Sequence, residues 1–95
     1  MITHIVFFKL KVPTPENTKK SAERLRGLDG KIDELKSLEV GIDLIHSERS
    51  FDISLTATFD SMQTLQAYKE HPEHVKVADF IKDASVRICS VDYES

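Results

Sequence analysis

The 95-residue sequence is poor in several residue types and patterns that mark particular classes of protein. A single cysteine, Cys89, excludes an internal disulfide and fits a reducing compartment. Three glycines and three prolines are too few for a collagen-like or linker-like polymer. No apolar run approaches the roughly 18 residues that span a bilayer, and the opening MITHIVFFKLKV lacks the features of a signal peptide. We therefore expect a soluble, cytoplasmic protein without a membrane partner.

An excess of basic charge is also absent. The chain has 13 Lys and Arg residues against 16 Asp and Glu residues, which gives a formal net charge of −3. A local basic cluster lies on the polar side of a predicted helix and consists of Lys19, Lys20, Arg24 and Arg26. Because no basic block is present to neutralise a phosphate backbone, we expect no nucleic-acid partner. With 40% hydrophobic residues, the chain can bury the core of one domain over residues 1–95.

The first segment, Ile2 to Val12, is rich in β-branched and aromatic residues and is predicted to be a strand. Alternation places His4, Val6, Phe8 and Leu10 on one face and Ile5, Phe7 and Lys9 on the other. Both faces carry large apolar groups. The strand is therefore expected to be covered on both sides, which is unusual for an antiparallel sheet on the outside of a monomer.

A helix is predicted to begin at Thr14 and Pro15, because threonine caps a helix and proline suits its first position. Its apolar stripe recurs every three or four residues and comprises Ala22, Leu25, Leu28, Ile32 and Leu35. Gly27 and Gly30 are expected to weaken or break its second half. The stripe needs a surface to pack against.

Two strands are predicted in the middle of the chain. The period changes to two from Ser37 to Ile45, and a polar turn follows at residues 46–49. From Phe51 to Phe59 apolar and short polar residues alternate without interruption. These patterns predict the second and third strands, with one apolar face each.

The last part of the chain is predicted to be helical and then extended. A helix begins after the pair Asp60–Ser61 and ends at His71, because Pro72 disfavours helical backbone in the residue before it. A further short helix is predicted from Glu73 to Lys82, and a fourth strand from Val86 to Tyr93.

The resulting order is βαββαβ with a break in the second helical stretch. It predicts an α+β, ferredoxin-like fold, in which a four-stranded antiparallel sheet carries its helices on one face. The other face would be bare and apolar, with Ile5, Phe7, Val91 and Tyr93 on it. A self-complementary homodimer would cover that face, so we expect these four residues at a dimer interface.

Several segments of the sequence resemble one family. HIVFFKLK, SLEVG, RSFDISLTATFDS, LQAYKEHPEHVKVADFIK and VDYE are similar to the stress-responsive A/B barrel (Dabb) domain, over nearly the whole chain. The most specific piece is His71-Pro72-Glu73-His74-Val75. The resemblance implies a homodimeric α+β barrel with two sheets face to face. Most members are small stress-associated or uncharacterised proteins.

The resemblance also implies a candidate site. In a plant branch of polyketide cyclases, a Tyr and the second His of the H-P-x-H block carry catalysis, and these correspond to Tyr68 and His74. The expected ligand pocket between helices and sheet is lined by His4, Val6, Phe8, Ile53, His71 and Val75. Ile53 stands where the cyclases have a histidine, so the pocket would be more apolar and a cyclase role is put in doubt.

The chemistry of these residues allows more than one interpretation. Histidine can exchange protons near neutral pH, and tyrosine can donate to a developing oxyanion. His71 and His74 could instead cap helices, and Tyr68 could belong to the core. No histidine or cysteine spacing predicts a metal site, no glycine-rich loop predicts a phosphate-bearing cofactor, and no serine-nucleophile motif is present.

We therefore predict a homodimeric stress-response domain that is non-catalytic or binds a small apolar ligand between its sheet and its helices. The alternative is a cofactorless cyclase or lyase, with His74 as general base and Tyr68 as its orienter or oxyanion donor. A third option, a quinone-forming monooxygenase of the same barrel type, is supported by no specific residue. A cavity that holds both Tyr68 and His74 would favour the enzyme.

Overall fold

The computed structural model describes residues 1–95 and contains four strands and three helices. Their bounds are β1 (Ile2–Leu10), α1 (Pro15–Arg26), β2 (Ser37–Ile42), β3 (Ile53–Phe59), α2 (Met62–Glu70), α3 (Pro72–Ala84) and β4 (Ser85–Glu94). The order of strands and helices confirms the predicted βαββαβ arrangement with a divided second helix. None of the three helices has the length and apolar character that crossing a membrane requires.

The four strands form one antiparallel sheet in the order β2-β3-β1-β4. In β1 the even-numbered residues face the helices and are buried, whereas Ile5 and Phe7 point to the opposite side. The register places His4 opposite Ala57 of β3 and opposite Asp92 of β4. Each strand therefore presents one row of side chains to the helices and one row to the outside.

The core lies between the sheet and the helices and contains 17 buried hydrophobic residues. The largest of its fully buried side chains are Tyr68, Phe59, Leu28, Ile53 and Leu65. Burial of a large apolar side chain contributes about 1.5–3 kcal/mol relative to leaving it exposed. This single cluster joins β1, β2 and β3 to the helices, and β4 is attached to the sheet through its pairing with β1.

Helix α1 begins as the sequence predicts but ends before its apolar stripe does. The backbone N–H of Asn17 donates to the Thr14 hydroxyl at 3.1 Å, and Pro15 occupies the first helical position. The helix ends at Arg26, yet Leu28 and Ile32 remain buried. Gly30 adopts a left-handed backbone with φ of 84°, a conformation that glycine tolerates. A right-handed helix cannot continue through such a residue. Turns therefore carry the second half of the stripe into the core.

The predicted bounds of β2 and β3 were wrong at the loop between them. β2 ends at Ile42 rather than at residue 45, and β3 begins at Ile53 rather than at residue 51. The Asp43 side chain accepts a hydrogen bond from the backbone N–H of His46, which starts a turn at this point. Beyond it Leu44 and Ile45 are 86% and 77% exposed, so their apolar alternation does not reflect a buried strand face.

Helices α2 and α3 are separated by one extended residue. Ser61 and Thr64 exchange hydrogen bonds in a capping box that begins α2. His71 has φ of −64° and ψ of 135° because Pro72 disfavours helical backbone before it. Pro72 then starts α3, which runs to Ala84, slightly beyond the predicted bounds. The break turns α3 back over the sheet.

Candidate functional site

A cavity of about 140 Å³ lies between the sheet and the helices. Of its 13 lining residues 10 are hydrophobic, and the three that are not are His4, His74 and Lys82. Val6 and Phe8 line it from the sheet, and Tyr68 lines it from α2. The cavity is therefore an apolar space with a small number of polar groups, which is the usual composition of a site for a small molecule.

A shallower groove of about 310 Å³ adjoins the cavity on the outside of the chain. Four residues line both spaces and form what we call the mouth: His4, His74, Ala78 and Lys82. The groove also includes Lys69 and Asp79. A molecule held in the cavity would therefore meet its polar contacts at the mouth.

Tyr68 is the largest buried side chain of the site. It is 1% exposed, and its ring centroid lies 4.9 Å from that of Phe59 and 4.4 Å from that of His74. Its hydroxyl has no hydrogen-bond partner within the chain. Burial raises the pKa of Tyr68 to about 12, so the hydroxyl stays protonated at neutral pH. Tyr68 can therefore donate a hydrogen bond to a ligand in the cavity.

His74 lies in the first turns of α3 and is oriented by a backbone group of α2. Its Nδ1 atom is 3.1 Å from the carbonyl oxygen of Lys69, and because a carbonyl can only accept, Nδ1 carries the proton. Burial lowers the pKa of His74; the Lys69 hydrogen bond opposes this shift, and positive charge at His4, Lys69 and Lys82 adds to it. Neutral His74 therefore has Nε2 free as a base or an acceptor.

His4 is buried on β1 and forms a hydrogen bond with the neighbouring strand β4. Its Nδ1 atom hydrogen bonds to the carboxylate of Asp92, its cross-strand neighbour. Its ring lies edge-on to those of Tyr68 and Phe59, each at 6.4 Å between centroids. The sheet and the α2–α3 break thus bring His4, Tyr68 and His74 together around one cavity.

Three residues of the predicted pocket lie away from the cavity. Ile53 is buried in the core near the start of β3, beyond the lining. His71 caps α3, because its Nδ1 atom accepts a hydrogen bond from the backbone N–H of Glu73 at 3.1 Å. Val75 is exposed on the outer groove, since the turn of α3 that brings His74 inward directs the next residue outward.

Two polar residues near the cavity were not among the predicted site residues. Asp92 contacts His4, and Lys82 lines the mouth from the last turn of α3. The antiparallel pairing of β1 with β4 could have suggested Asp92, but only once the register was known. No group of three or more potential metal ligands from His, Cys, Asp and Glu forms in the structure.

The outer side of the sheet, which we call the open face, carries the residues predicted for a dimer interface. Phe7, Val91 and Tyr93 are 44%, 53% and 47% exposed, and Ile5 is half-buried. Phe51 extends this apolar surface, with its ring centroid 6.1 Å from that of Phe7. No helix of the chain covers these side chains.

Comparison with protein families agrees with this structure. The sequence pattern of the stress responsive A/B barrel domain (Dabb) matches residues 2–95. The resemblance noted from the sequence is therefore confirmed. No curated protein matches the chain.

Solved structures share the fold over nearly the whole chain. A dimeric ferredoxin-like protein of unknown function from Thermobifida fusca is 27% identical, with a TM-score of 0.87 over 99% of this chain and 90% of that one. A dimeric ferredoxin-like protein of unknown function from Bacteroides fragilis is 29% identical, with a TM-score of 0.84 over 99% of this chain and 95% of that one. A hydroxynitrile lyase from Passiflora edulis is 21% identical, with a TM-score of 0.83 over 97% of this chain and 90% of that one. The predicted ferredoxin-like fold is thereby confirmed.

Proposed function

Since the chain belongs to the stress responsive A/B barrel domain family, we propose that it acts as a homodimer that binds a small apolar molecule between its sheet and its helices. The observation that carries the proposal is the contrast between the two sides of β1. Val6 and Phe8 border a cavity, whereas Phe7 is exposed on a bare apolar surface. One side is suited to a ligand and the other to a second chain.

The open face supports the dimer. Its exposed apolar side chains come from β1 and β4 and are Ile5, Phe7, Val91 and Tyr93. A contiguous apolar patch of this kind marks an interaction surface. The similar proteins from Thermobifida fusca and Bacteroides fragilis are both dimeric.

The neighbouring strand β3 favours a second sheet as the cover. On the open face it presents only short polar side chains, those of Ser54, Thr56 and Thr58. Stacked sheets lie about 10 Å apart, and the long charged side chains of this face lie beside β3 rather than on it, at Glu39 of β2 and at Lys9 and Arg87 at one end of β1 and β4. A two-fold dimer places the apolar patch of each chain against the same surface of its partner.

The cavity supports the ligand. A cavity of roughly 150 Å³ with aliphatic and aromatic walls has room for a molecule the size of benzene. The cavity of about 140 Å³ beneath these helices has walls of this type. We therefore propose a ligand whose apolar part has about six carbon atoms.

Toluene tests the ligand-binding proposal. In an NMR titration of the wild type, we expect toluene to shift amide signals of Val6, Phe8 and Val77, with a Kd on the order of 1 mM or below. Ala78→Met places a larger side chain at the mouth and should weaken binding. Ala67→Met, the same change at an exposed position of α2, should not. Absence of any saturable shift in the wild type would contradict the proposal.

A second candidate function is cofactorless proton transfer on a small apolar carbonyl compound. It is favoured by one observation, the presence of Tyr68 and His74 in the same cavity with ring centroids 4.4 Å apart. His74 would remove a proton next to the carbonyl through its free Nε2 atom, and the Tyr68 hydroxyl would donate to the enolate oxygen. The shared fold of the Passiflora edulis lyase does not establish such chemistry here.

Hydrogen exchange of acetophenone tests this second candidate. We expect the wild type to accelerate exchange of the methyl hydrogens in heavy water, followed by NMR, above the rate with free imidazole. Tyr68→Phe and His74→Gln should each lower the rate roughly 100-fold, because each removes one proton-transfer group. His46→Gln, at an exposed loop histidine, is the matched control. A wild-type rate no greater than that of imidazole would contradict the candidate.

A further inference from the structure

A second partly apolar space, a groove of about 280 Å³, lies between the first turns of α1 and the last turns of α3. We call it the α1–α3 groove. It shares no lining residue with the cavity or with the outer groove, and a dimer formed through the open face leaves it accessible. Its lining consists of four apolar and four polar residues: Leu10, Val12, Phe80 and Ala84, and Lys11, Asn17, Lys20 and Ser21.

The apolar part of the groove presents surface that the core does not bury. Val12 is 58% exposed, and Phe80 is only partly buried. The guanidinium carbon of Arg24 lies 4.3 Å from the centroid of the Phe80 ring, a cation–π contact that holds the ring in place. An aliphatic or aromatic group in the groove would remove this apolar surface from water, which is favourable.

The Ser21 hydroxyl supplies an unpaired polar group at the same place. Ser21 is 3% exposed, lines the groove from α1 and makes no side-chain hydrogen bond within the chain. Buried hydroxyl groups are usually hydrogen bonded, so an unpaired one beside an open space indicates a partner from outside the chain. The hydroxyl of Ser85, which follows the lining residue Ala84, is also buried without a partner. This end of the core therefore has hydrogen-bonding capacity that the chain does not use.

The charge along the groove is positive. Lys11 and Lys20 line it, neither forms an ion pair within the chain, and Arg24 lies beside it over Phe80. The acidic residues that α1 and α3 carry nearby do not line the groove; they are Glu16, Glu23 and Asp83. Part of the basic cluster seen in the sequence therefore borders a groove in a chain whose net charge is negative.

Backbone groups at the groove are already bonded. The backbone N–H of Lys11 donates to the carbonyl oxygen of Ala84 at 2.9 Å, and that of Asn17 donates to the Thr14 hydroxyl at 3.1 Å. The Asn17 side chain donates to the carbonyl oxygen of Val12. A phosphate is commonly held by several free backbone N–H groups, which are missing here. The two ammonium groups and the one hydroxyl suit a singly charged carboxylate, which only accepts hydrogen bonds.

We propose that the α1–α3 groove is a second binding site, separate from the cavity, for a small amphipathic carboxylate such as a medium-chain fatty acid. Its apolar part lies against Leu10, Val12 and Phe80. Its carboxylate accepts hydrogen bonds from Ser21 and from the ammonium groups of Lys11 and Lys20. Because the groove has roughly twice the volume that accommodates benzene and is open on one side, a tail of about eight carbon atoms fits it.

Octanoate tests the proposal in an NMR titration of the wild-type protein. We expect saturable shifts of the amide signals of Val12, Ser21 and Ala84, with a Kd on the order of 1 mM. Octylamine has the same tail and the opposite charge, and it should not produce these shifts because Lys11 and Lys20 repel an ammonium group.

Glutamine substitutions test the role of the two lysines, since glutamine keeps a polar side chain without the charge. Lys11→Gln and Lys20→Gln together should weaken octanoate binding roughly tenfold, as expected for the loss of two partly exposed ion pairs. Lys19→Gln, at the neighbouring exposed position of α1 that does not line the groove, is the matched control and should leave the Kd within about twofold.

Ser21→Ala tests the buried donor. We expect the octanoate Kd to rise roughly threefold or more, because one hydrogen bond to the carboxylate is lost. The free energy of unfolding should not fall, since the hydroxyl bonds to nothing in the chain and a methyl group fills the same place. A purely structural serine would give the reverse result, with lower stability and an unchanged Kd.

Three results would overturn the proposal. The first is the absence of saturable shifts at the groove, including shifts confined to Val6 and Phe8 of the cavity, which would place octanoate in the other site. The second is equal binding of octanoate and octylamine. The third is an octanoate Kd that the double lysine variant leaves unchanged. Circular dichroism of each variant shows whether its fold is retained.

Discussion

The two faces of the sheet use the same strands but differ in what covers them. On the helix side, Val6 and Phe8 of β1 join a closed core with a small cavity at its edge. On the open face, their sequence neighbours Ile5 and Phe7 have no cover from the chain itself. The first face therefore accounts for the folding of one chain, and the second is available for assembly.

This difference also separates the candidate chemistry from the interface. His4, Tyr68 and His74 lie on the helix side, where burial changes the pKa values of Tyr68 and His74. The open face carries apolar and short polar side chains, with the charged residues Glu39, Lys9 and Arg87 around them, and it holds no histidine–tyrosine cluster. Substitutions on the two faces should therefore affect different measurements, and four experiments test that separation.

The largest effect is expected from removing a large side chain on the helix side. Phe59 is fully buried, so Phe59→Ala should lower the free energy of unfolding by about 3–5 kcal/mol. Urea unfolding at a fixed protein concentration measures this, because dimer formation makes stability depend on concentration. Phe51→Ala, at a partly exposed ring beside the open face, is the control and should lower the free energy of unfolding clearly less than Phe59→Ala does. Equal losses would contradict the contrast between the faces.

A charge on the open face should act on assembly instead. Phe7→Asp would bury a carboxylate against the partner sheet, and we expect it to weaken the dimer by about 2–4 kcal/mol, roughly 30- to 1000-fold in Kd. Sedimentation velocity over a concentration series measures the change, and circular dichroism checks the fold. Met62→Asp, at an exposed apolar position on α2, should leave the dimer unchanged. A dimer unaffected by Phe7→Asp would show that the open face is not the interface.

A smaller effect is expected from protonation on the helix side. Burial lowers the pKa of His74 below its ordinary value of 6.5, so the unfolded chain takes up this proton at a higher pH than the folded chain does. The contribution of neutral His74 to stability is complete above pH 6.5 and is lost as the pH falls below it. Unfolding free energy should therefore decrease more steeply in the wild type than in His74→Gln between about pH 7 and about pH 5. If the unfolding free energies of the wild type and His74→Gln changed in parallel with pH, this expectation would be wrong.

Much of the fold could be predicted from local patterns. Alternation in β1 assigned Val6 and Ile5 to opposite faces, and the Thr14–Pro15 pair marked the start of α1. Pro72 marked the break that places His74 beside Tyr68. These features depend on residues close together in the chain, where backbone sterics and capping dominate.

Features that depend on distant residues were not predictable in the same way. The alternation of β2 continues through Leu44, but the strand ends where its pairing with Ile53 of β3 ends. The His4–Asp92 contact joins residues 88 positions apart and requires the register of β1 with β4. Ile53 faces the core side as the alternation predicts, but the cavity does not extend to it.

The molar mass of the wild-type protein tests most directly the claim that one face folds the chain and the other joins two chains. Size-exclusion chromatography with light scattering at micromolar concentration measures it without a variant or a ligand. We expect twice the chain mass of 10.8 kDa. A mass of 10.8 kDa at that concentration would contradict it, because the open face would then remain exposed in solution.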